Sequence, residues 1–562
     1  MDLSRRTVMQ SAAAAGAATL LPQMAAGAAP PAPRMPLSKF VKSDPMMKAL
    51  RKGVAAMKAR PGYDPFSWFY QAAIHGVLPI AIDAERARLQ AISDSEARKL
   101  DLVFQKRYWN QCPHNGEEAA NFLPWHRGYT YYFERILRLH TEDDQFSLPF
   151  WDYEPKANRK FPREFGEEFI GGDKKQPNPL FMAQRDFYFT RYEHPFAVGL
   201  PLLELTDDAV DSSGTLATPV FFGDKETEGL GGGYADEDPS TRGLMESRPH
   251  DHVHRAVGGI IIQADGTPAL GAMSQPPTAG FDPIFPIHHS NIDRLWAAWS
   301  CIPGKQWGKL PPAYWFNERA WFFWDVGPNN MPVRINESRK MYFDHRALGV
   351  SFEGEDPACK PLQLPDINNQ LFAEAVPAPR KQRQIVAEHA VDISISPLGR
   401  TVVPLGEEMK SQLASSLTSM RSLLGTAAPA SAPALLVRLP DLNLGFVPAT
   451  GFDVHVTANA DASLRRDSKS FVGSVALFRH DNVPAASGGA AHAALGSMLS
   501  HGGGDVFDIS DAVAGLSDAE IANVKIAIVP YPLLAIPGKE TVHVPAPGAE
   551  TRAAGVQFIV AR

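Results

Sequence analysis

The chain has 562 residues, of which 44% are apolar, 10% aromatic and 21% charged, with a net charge of −7. That length fits roughly three to four domain equivalents, or one large domain plus one ordinary domain, the composition excludes a disordered chain, and an acidic balance without a long basic run argues against a generic polyanion binder. Three cysteines are too few for a disulfide framework, whereas seventeen histidines are conspicuous, and most of them fall between residues 75 and 289.

In chain order, the first feature is an address. Arg5 and Arg6 precede a short Ala-rich apolar run from Ser11 to Leu21, and Ala26-Gly27-Ala28 offers a small-residue cleavage site. Residues 1–29 read as a signal peptide, and the arginine pair resembles the twin-arginine type. The expectation is a bacterial protein delivered to the export machinery and found in the periplasm or secreted. The apolar run stops at Pro22, too early for a membrane span, and no other stretch is long and apolar enough for one.

Residues 35–350 read as helices joined by long irregular loops. Tyr129, Tyr132, Phe133, Ile136 and Leu137 recur at helical spacing within 125–140, and 293–299 also reads as helix. The stretches 155–180 and 221–249 are rich in Gly, Pro and charge and read as loops. A linker is expected over 351–385, where the chain becomes polar and Pro-containing. From 386 to 562 short β-rich runs such as GFDVHV, SFVGSVALF and VKIAIV predict a β-sandwich, with a helical insertion over 405–424. The fold class expected is therefore multi-domain α+β, a mainly α part followed by a β-sandwich.

Three histidine groups stand out. His250 and His254 in HDHVH are spaced i,i+4, which puts both imidazoles on one helical face, while His252 points elsewhere. The base Glu of a zinc-peptidase HExxH is missing. His288 and His289 are adjacent in DPIFPIHHSNIDRLW, so one ligates and the other supports or lines the pocket. Asp293, four residues after His289, is placed to orient a ligand imidazole. The third group holds His75, His114 and His126, with Cys112 two residues before His114; that cysteine reads as metal ligand, nucleophile or buried hydrophobe. Six imidazoles without a conspicuous carboxylate ligand suit copper better than magnesium, calcium or a di-iron carboxylate centre, and zinc also accepts imidazole. Two sets of three imply two metals with open positions. Trp125 and Phe285, close to these groups, read as core.

The residues quoted resemble the type-3 copper polyphenol oxidases, the tyrosinase and catechol oxidase family. FLPWHRGYTYYFERIL resembles its first copper motif, and PHDHVHRAVGG with DPIFPIHHSNIDRLW its second; GFDVHV, FVGSVALF, FDIS and VKIAIVP resemble the C-terminal β-domain of the plant-type enzymes. The resemblance implies a four-helix-bundle catalytic domain over 35–350 and a β-domain over 386–562 that shields it. It implies two copper ions with O2 as co-substrate, the first held by His75, His114 and His126, the second by His250, His254 and His289, with His288 beside the site. It implies oxidation of small phenols, o-diphenols to o-quinones, with monophenol hydroxylation left open.

It further implies a thioether between Cys112 and His114, as in some members. Glu246 matches a Glu that holds a water near the phenol proton, and Asp251 stands where monophenol hydroxylators often carry Asn. An aromatic gate of the plant enzymes aligns with Pro276, which implies a more open entrance. Plant members have N-terminal disulfide cysteines, whereas no cysteine here precedes Cys112; nothing in the sequence decides whether Cys301 and Cys359 pair. Two other readings stay open at this point: an oxygen carrier of the hemocyanin type, and an exported zinc hydrolase. The sequence does not fix the oligomeric state.

Overall fold

In the computed structural model of the chain the described residues are 30–91, 108–113, 116–190, 203–223, 229–233, 242–262, 268–365, 383–424, 434–440, 442, 450–459, 463–475, 477–478, 504–535 and 551–561. The expected signal peptide and His114 lie outside them.

Five of the helices in the first part frame the site: α1 (Asp44–Ala59), α2 (Trp68–His75), α3 (Phe122–Thr141), α4 (Asp251–Gly258) and α5 (Phe285–Ser300). α3 is central, with buried residues on every side, because α1 and α5 and a hairpin formed by Phe323–Val326 and Pro332–Ile335 all pack on it. It starts before the tyrosine-rich stretch, since Pro124 falls in its first turn, where a missing N–H costs nothing. Glu142, in the left-handed conformation, ends it. The Ser67 hydroxyl caps α2 by accepting from the Tyr70 amide at 3.0 Å. α5 begins with Pro286 in its first turn, and Asp282 before it accepts from the Ile284 amide while Arg185 holds that carboxylate with two bonds of 2.7 and 2.6 Å.

The second part is all antiparallel. One four-stranded sheet has β4 (Ala434–Pro440) and β10 (Thr551–Ala561) inside, with β7 (Gly504–Asp508) and β2 (Arg383–Ile395) at the edges, in the order β7-β4-β10-β2. The other runs β6-β5-β8-β3, from β6 (Phe471–Ser474), β5 (Thr450–Thr457), β8 (Lys525–Pro532) and β3 (Thr401–Pro404). Phe452, Val454, Val456, Ile526 and Ile528 share one core with Leu435, Val437, Val556, Phe558 and Val560 of the first sheet, the packing of a sandwich. The expected insertion is α6 (Glu407–Leu424), whose Met409, Leu413 and Leu417 recur every four residues and are buried against β2 and β10. The fold is thus mixed helix and sheet, with the histidines in the helical part.

The two parts touch. β1 (Glu204–Leu205) pairs antiparallel with β9 (Leu534–Ala535), Glu204 opposite Ala535. The segment expected as a linker over 351–385 is packed over its first stretch: the Glu353 amide donates to the Arg34 carbonyl, the Trp307 indole to the Gln363 carbonyl, and Cys359 is disulfide-bonded to Cys301 with Cα atoms 5.5 Å apart. That stretch carries Phe352, a core residue, which is why it cannot be a solvated tether. Residues 366–382 lie outside the described residues, and the first strand of the β part opens at Arg383. Among the described residues no helix is long and apolar enough to cross a membrane.

Candidate metal centre

The histidines converge at the middle of the helical part. His75 is the last residue of α2, His126 lies in the second turn of α3, His250 immediately precedes α4, His254 is on α4, and His288 and His289 sit in the first turns of α5. All six are at most 2% exposed. Among the described residues two donor groups form, each with its ligand atoms within 4.8 Å of one another: His75, Cys112 and His126, and His250, His254, His288 and His289. The groups adjoin, for the rings of His126 and His289 stack with centroids 4.3 Å apart, and His289 is 4.9 Å from His250 and 5.5 Å from His254. Phe285 fills the space below, 4.6 Å from His75 and 4.3 Å from His289. It is core, as is Trp125, but its ring is also a wall of the site.

Adjacent histidines on a helix diverge, and these two do. His289 faces both groups, whereas His288 belongs to the second group alone, its ring 4.9 Å from that of His254 and its Nδ1 3.5 Å from the Tyr153 hydroxyl. The other rings are aimed by acceptors at Nδ1: the Phe122 carbonyl for His126 at 2.8 Å, the Pro276 carbonyl for His75 at 3.0 Å, the Met273 carbonyl for His254 at 2.8 Å, and the Asp251 carboxylate for His250 at 3.0 Å. Each such bond places the proton on Nδ1 and leaves Nε2 with its lone pair. Burial lowers the pKa of His126 and His288 to about 3 and takes those of His254 and His289 well below the usual imidazole value. Those four rings are therefore neutral, the form that binds a metal. Buried imidazoles, with the Cys112 sulfur beside the first group and no carboxylate in either, are a donor set that suits copper, and zinc as well.

Several expected residues behave differently. Asp293 orients no imidazole. Its carboxylate is taken by Arg127 at 2.6 Å and Arg34 at 3.0 Å, two buried guanidiniums that outcompete a neutral ring. Pro276 is buried, and its carbonyl accepts from His75. Cys112 is buried with its Sγ 3.3 Å from His126 Nε2, and burial, helped by the charge of Glu246, raises its thiol pKa. A buried thiol with a raised pKa is a weak nucleophile; the expected thioether partner His114 lies outside the described residues.

Glu246 and Asp251 come together as expected, through a residue the sequence did not advertise. Arg242 donates to Glu246 at 2.9 Å and to both oxygens of Asp251 at 2.7 and 3.2 Å. Burial pushes both carboxyls up, and Arg242 pulls them back.

Phe478, from the β part, was also missed. Its ring lies 4.0 Å from that of His254 and 5.5 Å from that of His250. The amides of Leu477 and Phe478 both donate to Asp251 Oδ2, at 3.2 and 3.3 Å. A polar seam surrounds this contact. Arg248 donates to Asp453, Ser474 and the Tyr531 hydroxyl; that hydroxyl meets His252 Nε2 at 2.8 Å; and Arg466 bridges Asp453 and Asp208. His252 thus points away from the metal groups, as its position in HDHVH implies.

Comparison with known proteins agrees with this geometry. Residues 65–301 match the family model described as the common central domain of tyrosinase. A tyrosinase, HcTyr1, of Hahella sp. is 30% identical over 272 residues, 45% of this chain and 50% of that protein. A chloroplastic polyphenol oxidase of Spinacia oleracea is 25% identical over 345 residues, 58% of this chain and 47% of that one. The chain thus spans about half the length of the curated relatives it matches. A solved structure of latent apple tyrosinase is 20% identical, with 95% of this chain and 98% of that chain covered at a TM-score of 0.47. Residues 65–301 thus resemble the common central domain of tyrosinase, and the two histidine groups are gathered within that stretch.

Proposed function

We propose that the protein oxidises small phenols with O2 at a pair of copper ions, turning o-diphenols into o-quinones. His75, His114 and His126 would hold the first copper and His250, His254 and His289 the second, with His288 beside the site. The observation that carries this reading is the stacking of His126 on His289 at 4.3 Å, which joins two neutral nitrogen groups into one cradle. When bound, the copper pair supplies the one-electron steps that couple the substrate to O2. Two diphenols each give up two electrons and two protons, and one O2 leaves as two waters.

The chain's own residues do the rest. The Nδ1 acceptors fix where each ring points, and Phe285 keeps the floor apolar. Glu246 is the candidate acceptor, through a water, for the proton of a monophenol. Asp251 cannot donate a hydrogen bond when ionised, as Asn would, so diphenol oxidation is the activity assigned and monophenol hydroxylation the secondary one. The reading includes the thioether from Cys112 to His114, which would fix one ring covalently.

Phe478 supports a shielding role for the β part. Its ring covers His254 where an incoming phenol would stack, so this conformation is a closed one. Export is supported by the Arg5-Arg6 leader pattern and by the Cys301–Cys359 disulfide, a bond favoured outside the cytosol.

The deciding experiment is copper analysis with initial rates on catechol, tyrosine and a bulky flavonoid, before and after limited proteolysis. Two coppers per chain and catechol-dependent O2 uptake are expected. One zinc and no copper would end the reading, and two coppers binding O2 without turnover would make the chain a carrier. His250→Ala should lose one copper and the oxidation together.

A further inference from the structure

Two imidazoles from opposite groups are aimed by one short piece of chain. His75, on the first group, bonds to the carbonyl of Pro276; His254, on the second, bonds to the carbonyl of Met273. These acceptors are three residues apart, in two consecutive helical turns, Ala272–Ser274 and Pro276–Ala279. The other aimed rings use partners of their own: His126 an acceptor on its own helix, His250 the side chain next to it.

The segment is clamped at both ends. A Cβ on Gly76, directly after His75, would meet the Pro276 carbonyl oxygen at 2.6 Å, and one on Gly258, at the end of α4, would meet the Ser274 nitrogen at 2.2 Å. Only glycine allows backbones this close. Ser274 also bonds through its hydroxyl to the Gly259 carbonyl at 3.2 Å. The outer side is different. There an open cleft of about 380 Å³, lined by Leu78, Gln184, Leu270, Gln275, Thr278 and Phe281 among others, borders the segment, while Met273, Ser274, Pro276 and Pro277 stay buried and the Ala272 amide donates to the Gln184 carbonyl at 2.7 Å. Within the segment the cross-brace is Thr278, whose hydroxyl donates to the Ala272 carbonyl at 2.8 Å and lies 3.3 Å from that of Gln275.

We propose that residues 272–278 are a positioning bridge, in which the Met273 and Pro276 carbonyls hold one imidazole of each metal set in the Nδ1-protonated form and fix the two sets relative to each other, with the Thr278 hydroxyl as the brace that makes the bridge rigid. Thr278 touches no metal and no substrate; it acts through the two carbonyls. The bridge rests on the dicopper reading above.

The test is stepwise copper titration of the metal-free chain against a competing chelator, for the natural protein, Thr278→Val and Thr278→Ser, with thermal melting of each metal-free form. Thr278→Val keeps the volume and removes the brace. It should weaken both copper-binding steps by about 10–100-fold, the usual cost of losing an outer support of a ligand, and Thr278→Ser should restore them. In the His250→Ala background, where the first set is intact, Thr278→Val should still weaken the remaining copper. Natural protein that takes up two coppers while Thr278→Val holds both as tightly overturns the bridge, as does a loss confined to one step, or a lower melting temperature with unchanged copper binding. Failure of the natural protein to bind two coppers would instead strike the dicopper reading itself. Gly258→Ala gives an independent check. It presses on the bridge from the second set, so a folded variant whose first-set copper is unaffected also counts against rigidity.

Discussion

Asp293 shows how much one buried carboxylate holds together. Burial alone would raise its pKa, but Arg127 and Arg34 outweigh burial and keep it below the usual carboxylate range. Through these bonds it ties α5 to α3 and to the strap that enters at Arg34, itself paired with Glu134. The lowered pKa means the contribution is present at neutral pH and fades as pH falls through the folded-state value. Asp293→Asn takes the carboxylate partner from the buried Arg127 and leaves Arg34 with Glu134, and it should destabilise the chain by about 3–5 kcal/mol; denaturant unfolding of the metal-free protein measures it, and a loss below about 1 kcal/mol would refute the network's role. Asp251 is the second residue of this kind, accepting from Arg242, His250 and the two amides of the β part. Asp251→Asn puts an NH2 group among those donors. The expected result is higher catechol oxidation by the intact chain and a higher monophenol-to-diphenol ratio, read from initial rates on tyrosine and catechol.

At the scale of elements, the decisive contact is between α4 and the short stretch after β6. α4 presents His254 on one side and His252 on the other, a consequence of two-residue spacing on a helix. His254 meets Phe478, and His252 meets Tyr531 of β8, so the same helix carries a candidate metal ligand and the seam to the β part. Phe478→Ala removes the covering ring without touching the polar seam. It should raise oxidation of bulky diphenols by the full-length protein at unchanged copper content. Rates equal to those of the natural chain would show that the ring does not limit access.

For the molecule as a whole, the joint between the two parts is mixed: the polar contacts of Arg248, Arg466, Tyr531 and Asp453, one short strand pair, and a shared apolar core that joins Leu205 and Val210 with Phe478, Leu533 and Leu534. A joint of this mixed character lets the parts move relative to each other once the chain between them is cut. Trypsin cleavage after Arg380 or Lys381 should therefore increase activity on bulky phenols, whereas loss of activity with copper retained would assign the β part to folding. Acid acts on the whole helical core. The unfolded chain takes up protons on its histidines below about pH 6.5, while His126 and His288 in the folded chain refuse them down to about 3. Stability of the metal-free protein must then fall as pH drops below about 6.5 and stay level above it from this source. Melting temperatures at pH 7.5 and 5 check the sign; a higher value at pH 5 would contradict it.

The mixed helix and sheet architecture and the candidate imidazoles were legible in the sequence because their signals are local. An i,i+4 pair reports one helical face, alternating apolar residues report a strand, and a rare residue type in quantity reports a metal site. What could not be read there are partners set by packing. Asp293 sits at the right interval for His289 yet bonds arginines from residues 34 and 127; Pro276 aligns with a gate yet serves as an acceptor; Arg242 and Phe478 carry no motif; and the linker is shorter than its composition implies because Phe352 and Cys359 are drawn into the helical part. The amino-acid order by itself determined which side chains are able to bind metal, since that depends on chemistry and on the pitch of a helix. Only the tertiary structure decided what aims them and what covers them, since a hydrogen bond between residues 75 and 276, or a ring contact between 254 and 478, exists only when distant segments pack side by side.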